Sequence, residues 1–306
     1  IATACFLLTV FLAACSSKAP EPEIVIADGV ENVHNPQQPL HPEKKVTFSK
    51  ELVLMDEKDS RGEIVLYKPG RIAVDSRSNI FIADDADMAV KMFDSTGAFI
   101  RTIGTKGEGP GEFSSISGLG VRPDNILWMY DSFQKRLSLF SPEGELISTV
   151  TSREYISPLM TYDSTLIGRE MSMTFSIGED DEEKRSEKIN IYDYSLSKTA
   201  DVGTFPTYTF GEPIEAGEGR FVMFSIPFSP RSIYTGHRKT ETFYHMATSD
   251  YIITCYNANG ILKRRIHRPY EKIPLTEEEK RKEVERQFAN SDVPINTNKI
   301  LNDLEF

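Results

Sequence analysis

One hairpin, written three times at a fixed internal spacing, constrains this chain more than any other feature. Phe93-Asp94-Ser95-Thr96-Gly97 is followed by Ile103, Phe140-Ser141-Pro142-Glu143-Gly144 by Val150, and Tyr256-Asn257-Ala258-Asn259-Gly260 by Ile266. Each time an aromatic residue stands four before a glycine and an apolar residue six after it. A turn whose glycine takes positive φ, flanked by strands in one register, leaves that trace. Around the first copy a whole unit is legible. Ile72-Ala73-Val74, Ile80-Phe81-Ile82-Ala83, Val90-Lys91-Met92-Phe93 and Phe99-Ile100-Arg101-Thr102-Ile103 are four β-rich runs separated by turn residues. They predict a four-stranded antiparallel meander.

Matching extends upstream of the turn, where Asn79-Ile80-Phe81-Ile82 aligns with Asn125-Ile126-Leu127-Trp128 and Asp84 with Asp131. Between Gly144 and Gly260 there is room for a diverged unit. Thr165-Leu166-Ile167-Gly168 and Ile189 to Leu196 supply its strands, with the acidic run Glu179 to Glu183 as a loop. A further unit is expected to begin near Gly219. Four-stranded units recurring every ~40 to 50 residues predict an all-β, six-bladed β-propeller. A sandwich would not reproduce one hairpin at a constant internal spacing.

The unit from Ile72 to Phe113, closed by the glycine-rich link Lys106-Gly107-Glu108-Gly109-Pro110-Gly111-Glu112-Phe113, resembles an NHL repeat. Leu12-Ala13-Ala14-Cys15, ending the apolar run Ile1 to Cys15, resembles a lipobox. Together the two features resemble the six-bladed β-propeller lipoproteins of bacterial envelopes, a family largely without assigned activity. The resemblance implies cleavage before Cys15, lipidation of Cys15 and a membrane anchor through it, with the outer membrane as the expected location, on its periplasmic or outer side. Residues 1–14 then form a signal segment without its basic start, so the chain is expected to have begun further upstream.

Residues 15–45, polar and proline-bearing, are expected to form a flexible tether. Within them Ile24-Val25-Ile26 is apolar enough to pair with a sheet edge, and a loose segment is the alternative. The propeller domain follows over 46–306. Thr276-Glu277-Glu278-Glu279 makes a capping box ahead of Val284 and Phe288, so a short helix lying on the propeller is predicted at about 276–289. No further hairpin follows it. A final blade beyond Phe306, and an open ring without it, is the expectation.

The net charge of −11 argues against nucleic acid as a partner. No G-x-S-x-G, H-E-x-x-H, phosphate loop or zinc-spaced cysteine pair occurs, so no catalytic residue, metal ligand or cofactor is assigned. Cys255, in Tyr251-Ile252-Ile253-Thr254-Cys255-Tyr256, reads as a packed small hydrophobe. His237 and His245 read as surface or turn histidines. Asp84, Asp85 and Asp87 read as a solvated hairpin tip rather than a Ca²⁺ site. The glycines of the link read as a connector, since no helix N-terminus follows them to hold a phosphate.

Phe221 to Tyr234 mixes aromatics, prolines and an arginine between strands. Aromatics with arginine are the usual chemistry of an anchoring surface. Phe224, Phe228, Arg231 and Tyr234, with Arg169 from the preceding unit, are therefore the candidate ligand-binding residues. The function expected is a binding or scaffold module for a protein, peptide or glycan. The alternative implied by other propellers is a metal-dependent hydrolase or lyase, with Ca²⁺ as a cofactor, acting on a small substrate in the central funnel.

Overall fold

The computed structural model describes residues 21–54, 65–162, 165–170, 186–207, 214–215, 221–222, 224–237, 240–289 and 300–301. The signal segment, Cys15, the acidic run 179–183 and Gly219 lie outside the described residues.

An N-terminal hairpin comprises β1 (Glu23–Ala27) and β2 (Val30–His34). The first blade is β3 (Pro69–Val74), β4 (Ile80–Asp84), β5 (Ala89–Phe93) and β6 (Phe99–Ile103). A short parallel pair, β7 (Thr105–Lys106) and β8 (Glu112–Phe113), spans the glycine-rich link. The second blade is β9 (Gly118–Val121), β10 (Leu127–Asp131), β11 (Arg136–Phe140) and β12 (Leu146–Thr151). The third is β13 (Ile156–Thr161), β14 (Thr165–Glu170), β15 (Ser186–Asp193) and β16 (Lys198–Pro206). A two-stranded pair, β17 (Ile214–Glu215) and β18 (Phe221–Val222), follows. The fourth blade is β19 (Ser232–His237), β20 (Thr242–Ala247), β21 (Ile252–Tyr256) and β22 (Leu262–His267), and α1 (Glu277–Phe288) comes after it.

Each blade is an antiparallel meander in chain order, and the inner strands β3, β9, β13 and β19 adjoin in that order. The unit expected near Gly219 therefore starts later, at Ser232, and β17–β18 belong to the connection between the third and fourth blades. That connection intervenes in sequence without separating the blades. Phe243 of β20 shares a core with Ile167, Ile189, Ile191 and Phe205 of the third blade. Phe81, Val90 and Met92 of the first blade likewise pack with Leu127, Met129 and Phe140 of the second. Apolar residues on both faces of the first three blades make each of them part of its neighbours' cores, which is why their inner strand pairs read as nearly continuous hydrophobic runs.

The hairpin spacing is realised four times. Gly97, Gly144 and Gly260 take φ of +91°, +84° and +75°, and Leu196 takes +61° at the same place in the third blade. In each turn the N–H of that residue donates three residues back, to Asp94, Ser141, Asp193 or Asn257, at 2.9–3.0 Å. The side-chain oxygens of Asp94, Asp193 and Asn257 accept further turn N–H groups. A bulge falls at the aromatic residue in all four, at Phe93, Phe140, Tyr192 and Tyr256.

The segment read as a tether is ordered over 23–34. The β1–β2 hairpin adds in parallel to the outer edge of β22, pairing Glu31 to His34 with Arg264 to His267, so the fourth blade becomes a six-stranded sheet. It is Glu31 to His34 and not Ile24-Val25-Ile26 that meets the unpaired edge of the propeller; the apolar run pairs with β2 on the outside of the sheet, with Ile24 and Ile26 exposed. The helix forms as its capping box predicts, with Thr276 and Glu279 capping each other reciprocally. Its Val284 and Phe288 pack against Phe224 and Ile300. Among the described residues no helix is long and apolar enough to cross a membrane.

Candidate functional site

Antiparallel meanders divide the loops between two ends. At one end lie the first and third turns of each blade, built on Asp75, Asp94, Arg122, Ser141, Asp193 and Asn257. At the other lie the middle turns and the connections between blades. The exposed aromatics sort almost entirely to this second end. Tyr67 enters β3, Phe133 sits in the β10–β11 turn at 77% exposure, Tyr155 and Phe228 lie in blade connections, and Tyr251 and Tyr270 flank β21 and β22. Among the described residues, Phe48 in the N-terminal segment is the one exposed aromatic elsewhere. Several are held in place: the Lys135 ammonium sits 3.8 Å from the Tyr155 ring centre, and Tyr251 and Tyr270 pack at 5.8 Å. Cation–π and ring contacts of this kind contribute ~0.5–1 kcal/mol each.

The same end holds the groups in which the third blade departs from the repeat. Asp84 and Asp131 close β4 and β10 and are fully buried. Asp84 accepts backbone N–H groups of Tyr67, Lys68 and Ala86, and Asp131 those of Ser114, Ser115, Phe133 and Gln134. Burial raises the Asp84 pKa, but the N–H donors outweigh it and hold the carboxyl below its usual range. Asp84 is thus an internal clamp and not a solvated tip. Asp87 pairs with Lys91 at 2.5 Å, and among the described residues no three His, Cys, Asp or Glu gather as a metal site.

At the corresponding place the third blade carries Glu170, whose Oε2 accepts from Asn190 Nδ2 at 2.9 Å. Asn190 is fully buried and also donates to Tyr192 Oη. Successive side chains of a strand face opposite sides, so the neighbouring Arg169 points toward the fourth blade. Its Nη1 donates to Glu187 Oε2 at 2.9 Å, and Tyr234 Oη of β19 donates to Glu187 Oε1 at 2.5 Å. Glu187 is 8% exposed and Arg169 29% exposed, so the guanidinium is a fixed, partly accessible cation on a buried acceptor. Burial and the Glu187 bond push the Tyr234 phenol far above its usual range.

Beneath this polar pair is an aromatic seam. Tyr234 stacks on Phe243 at 5.6 Å, and Phe205 lies 4.2 Å from His245. His245 Nε2 lies 2.9 Å from Ser232 Oγ and its Nδ1 3.2 Å from Thr254 Oγ1. Expected at a surface or turn, His245 is instead buried, and that burial lowers its pKa to about 4. His237 does sit at a strand end, where its Nδ1 meets Thr240 Oγ1 at 2.9 Å.

Of the five candidate residues, the structure joins Arg169 and Tyr234 through Glu187. Phe224 turns away into the α1 core. Phe228 is 51% exposed at φ +60°, and Arg231 is exposed where β19 begins, its backbone N–H bonded to Thr248 Oγ1. Glu187, Phe205, Ser232 and, Phe228 apart, the exposed aromatics of the loop end escaped sequence reasoning. The repeat itself held the signal, since Phe133 and Tyr251 flank middle turns whose positions follow from the hairpin glycines.

The glycine-rich link is a structural joint. Arg136 of β11 donates to the carbonyls of Glu108, Gly109 and Glu112, and Gln134 to that of Gly107. Cys255 is buried, which raises its thiol pKa.

Solved structures similar to this chain include a Bacteroides fragilis protein (16% identity, TM-score 0.47, covering 78% of this chain and 60% of that one). Others are a streptogramin B lyase (11%, 0.35, covering 66% and 55%) and BamB from Moraxella catarrhalis (14%, 0.31, covering 63% and 51%). The chain thus spans between about half and three-fifths of these neighbours' lengths. No curated protein matches it. The model of one family, DUF5128, described as a 6-bladed beta-propeller, matches residues 60–259, from just before the first blade into the last hairpin, and the chain belongs to that family.

Proposed function

We propose that this chain is a binding module of the bacterial cell envelope, anchored through lipid on Cys15, that holds a protein partner on the loop end of its propeller. The observation that carries the reading is the sorting of exposed aromatics to that end, which also holds the Arg169 guanidinium fixed on Glu187. Aromatic and arginine side chains dominate the energetics of protein interfaces because they bury large areas at low entropic cost. Among the described residues, the third turns at the opposite end are short and closed on their own backbone, a poor surface for anchoring.

Photo-crosslinkers placed in the cell at Phe133 and Tyr155, and as a control at Thr96 in the opposite turns, test the reading. A discrete protein adduct from Phe133 and Tyr155 but not Thr96, weakened by Arg169→Ala, is the expected result. Adducts from Thr96 alone, or none from the loop end, overturn it, and loop-end adducts to glycan would replace the partner class. Palmitate labelling of the protein, abolished by Cys15→Ser, tests the anchor separately.

A further inference from the structure

The outer edge of the fourth blade has chemistry that the loop end does not share. In a chain of net charge −11, β22 carries Lys263, Arg264 and Arg265, with Arg268 just beyond. The hairpin that covers this edge carries Glu23, Asp28 and Glu31. Glu31 Oε2 accepts from Arg264 Nε at 2.6 Å. The seam is short: four residue pairs in parallel register, from Glu31–Arg264 to His34–His267, extended by Asn35 N–H donating to His267 O at 2.9 Å. Beyond it, residues 35–51 form no strand, so nothing but this seam and the Arg268 bond to Gln37 O ties the hairpin down among the described contacts.

The seam ends on two stacked imidazoles. The His34 and His267 rings lie 4.6 Å apart and 17° from parallel. His267 Nε2 is buried without a hydrogen-bond partner. Arg265 lies on the same face of β22, Ile252 is the neighbour on β21, and Glu23 is paired with His34 across β1. Burial first, then His34 and Arg265, lower the His267 pKa. Two neutral rings stack favourably. A His267 imidazolium, beside Arg265 and with Glu23 the one anion of this set, loses that stack and is repelled by the guanidinium.

We propose that the β1–β2 hairpin is a displaceable cover on a strand-accepting site, the basic edge of β22, latched by the stack of His34 on a neutral His267 and released when His267 protonates. The site takes an acidic extended peptide in parallel register, the hairpin being its resident example. Main-chain pairing supplies affinity and the Arg264 and Arg265 side chains supply selectivity, as in other strand additions.

Hydrogen exchange of the full chain at pH 7.5 and 5.5, corrected for intrinsic rates, reads the latch. Amides of β2 and β22 are expected to open about tenfold more at pH 5.5, the scale of like-charge repulsion at this separation near a surface, while β9–β12 stay unchanged. In His267→Phe, which keeps a stacked ring without charge, that difference disappears; His34→Phe serves if the first variant misfolds. A labelled synthetic peptide of residues 28–38 carrying His34→Phe, which cannot repel a protonated His267, is expected to bind the wild-type chain at pH 5.5, at least tenfold less at pH 7.5, and weakly to Arg264→Glu. Equal protection at both pH values, a pH effect that both Phe variants retain, or an opened edge that ignores the peptide overturns the proposal.

Discussion

Asp84 and Asp131 show how much one buried carboxylate can organise. Each stands at the end of a second blade strand and gathers backbone N–H groups from the link that enters its own blade and from its own middle turn. Removing the Asp131 carboxylate would strand four part-buried donors at once, and each unmet donor costs ~1 kcal/mol. Asp131→Ala is therefore expected to destabilise the protein by ~3 kcal/mol or more in chemical denaturation, with the loosest exchange in residues 112–117. Asp131→Asn, which keeps one acceptor, should cost less. The repetition of Asp84 at Asp131 was legible in the sequence, but its meaning was not. Burial of an aspartate follows from which backbone lies across from it, and that partner is a link some 17 residues upstream. The same ignorance of what lies opposite explains why His245, flanked by Tyr244 and Met246, could not be recognised as internal.

At the scale of the hairpin, the repeat reports backbone conformation more faithfully than residue type. Three turns were found because glycine marks positive φ; the fourth was hidden because Leu196 occupies the same left-handed position. A leucine there costs ~1–2 kcal/mol of backbone strain, which its burial against Trp128, Tyr130 and Leu166 offsets. The two substitutions should therefore go the same way for different reasons. Gly144→Ala adds strain in a tight space, its Cβ 3.1 Å from Ile103 Cγ1, and is expected to cost ~1–2 kcal/mol. Leu196→Gly relieves strain but empties a core site worth ~2–5 kcal/mol, leaving a net loss of ~1–3 kcal/mol. Thermal denaturation of both variants checks the ordering. The helix was legible to its caps because capping is local. Pairing of β1–β2 was visible only as a possibility of composition, since its partner lies more than two hundred residues away.

Across the whole molecule, stability against acid should depend on the seam between the third and fourth blades. His245 is held neutral there, its pKa lowered to about 4 by burial. An unfolded histidine binds its proton near pH 6.5, so the unfolded state takes up more protons as pH falls from about 6.5 toward 4. Stability from this group is thus complete above about pH 6.5 and is lost on acidification, by up to ~3 kcal/mol. Urea titrations across that range should show the decline, and His245→Gln should flatten it while leaving a lower plateau at neutral pH. The aromatic sorting belongs to this scale as well. No single exposed tyrosine or phenylalanine is informative in a sequence, and the pattern appears only once strand direction assigns every loop to an end.

The N-terminal hairpin has a consequence for the order in which the protein can be completed. β2 is made well before β22, with Glu31 and Arg264 separated by 233 positions. Until the fourth blade exists, Glu23-Ile24-Val25-Ile26-Ala27 is an apolar strand with no sheet to join. Each described blade can form on local contacts, one meander at a time, whereas this seam must wait for the blade that carries β22. During that interval the segment is an exposed apolar strand, the kind of surface a chaperone shields.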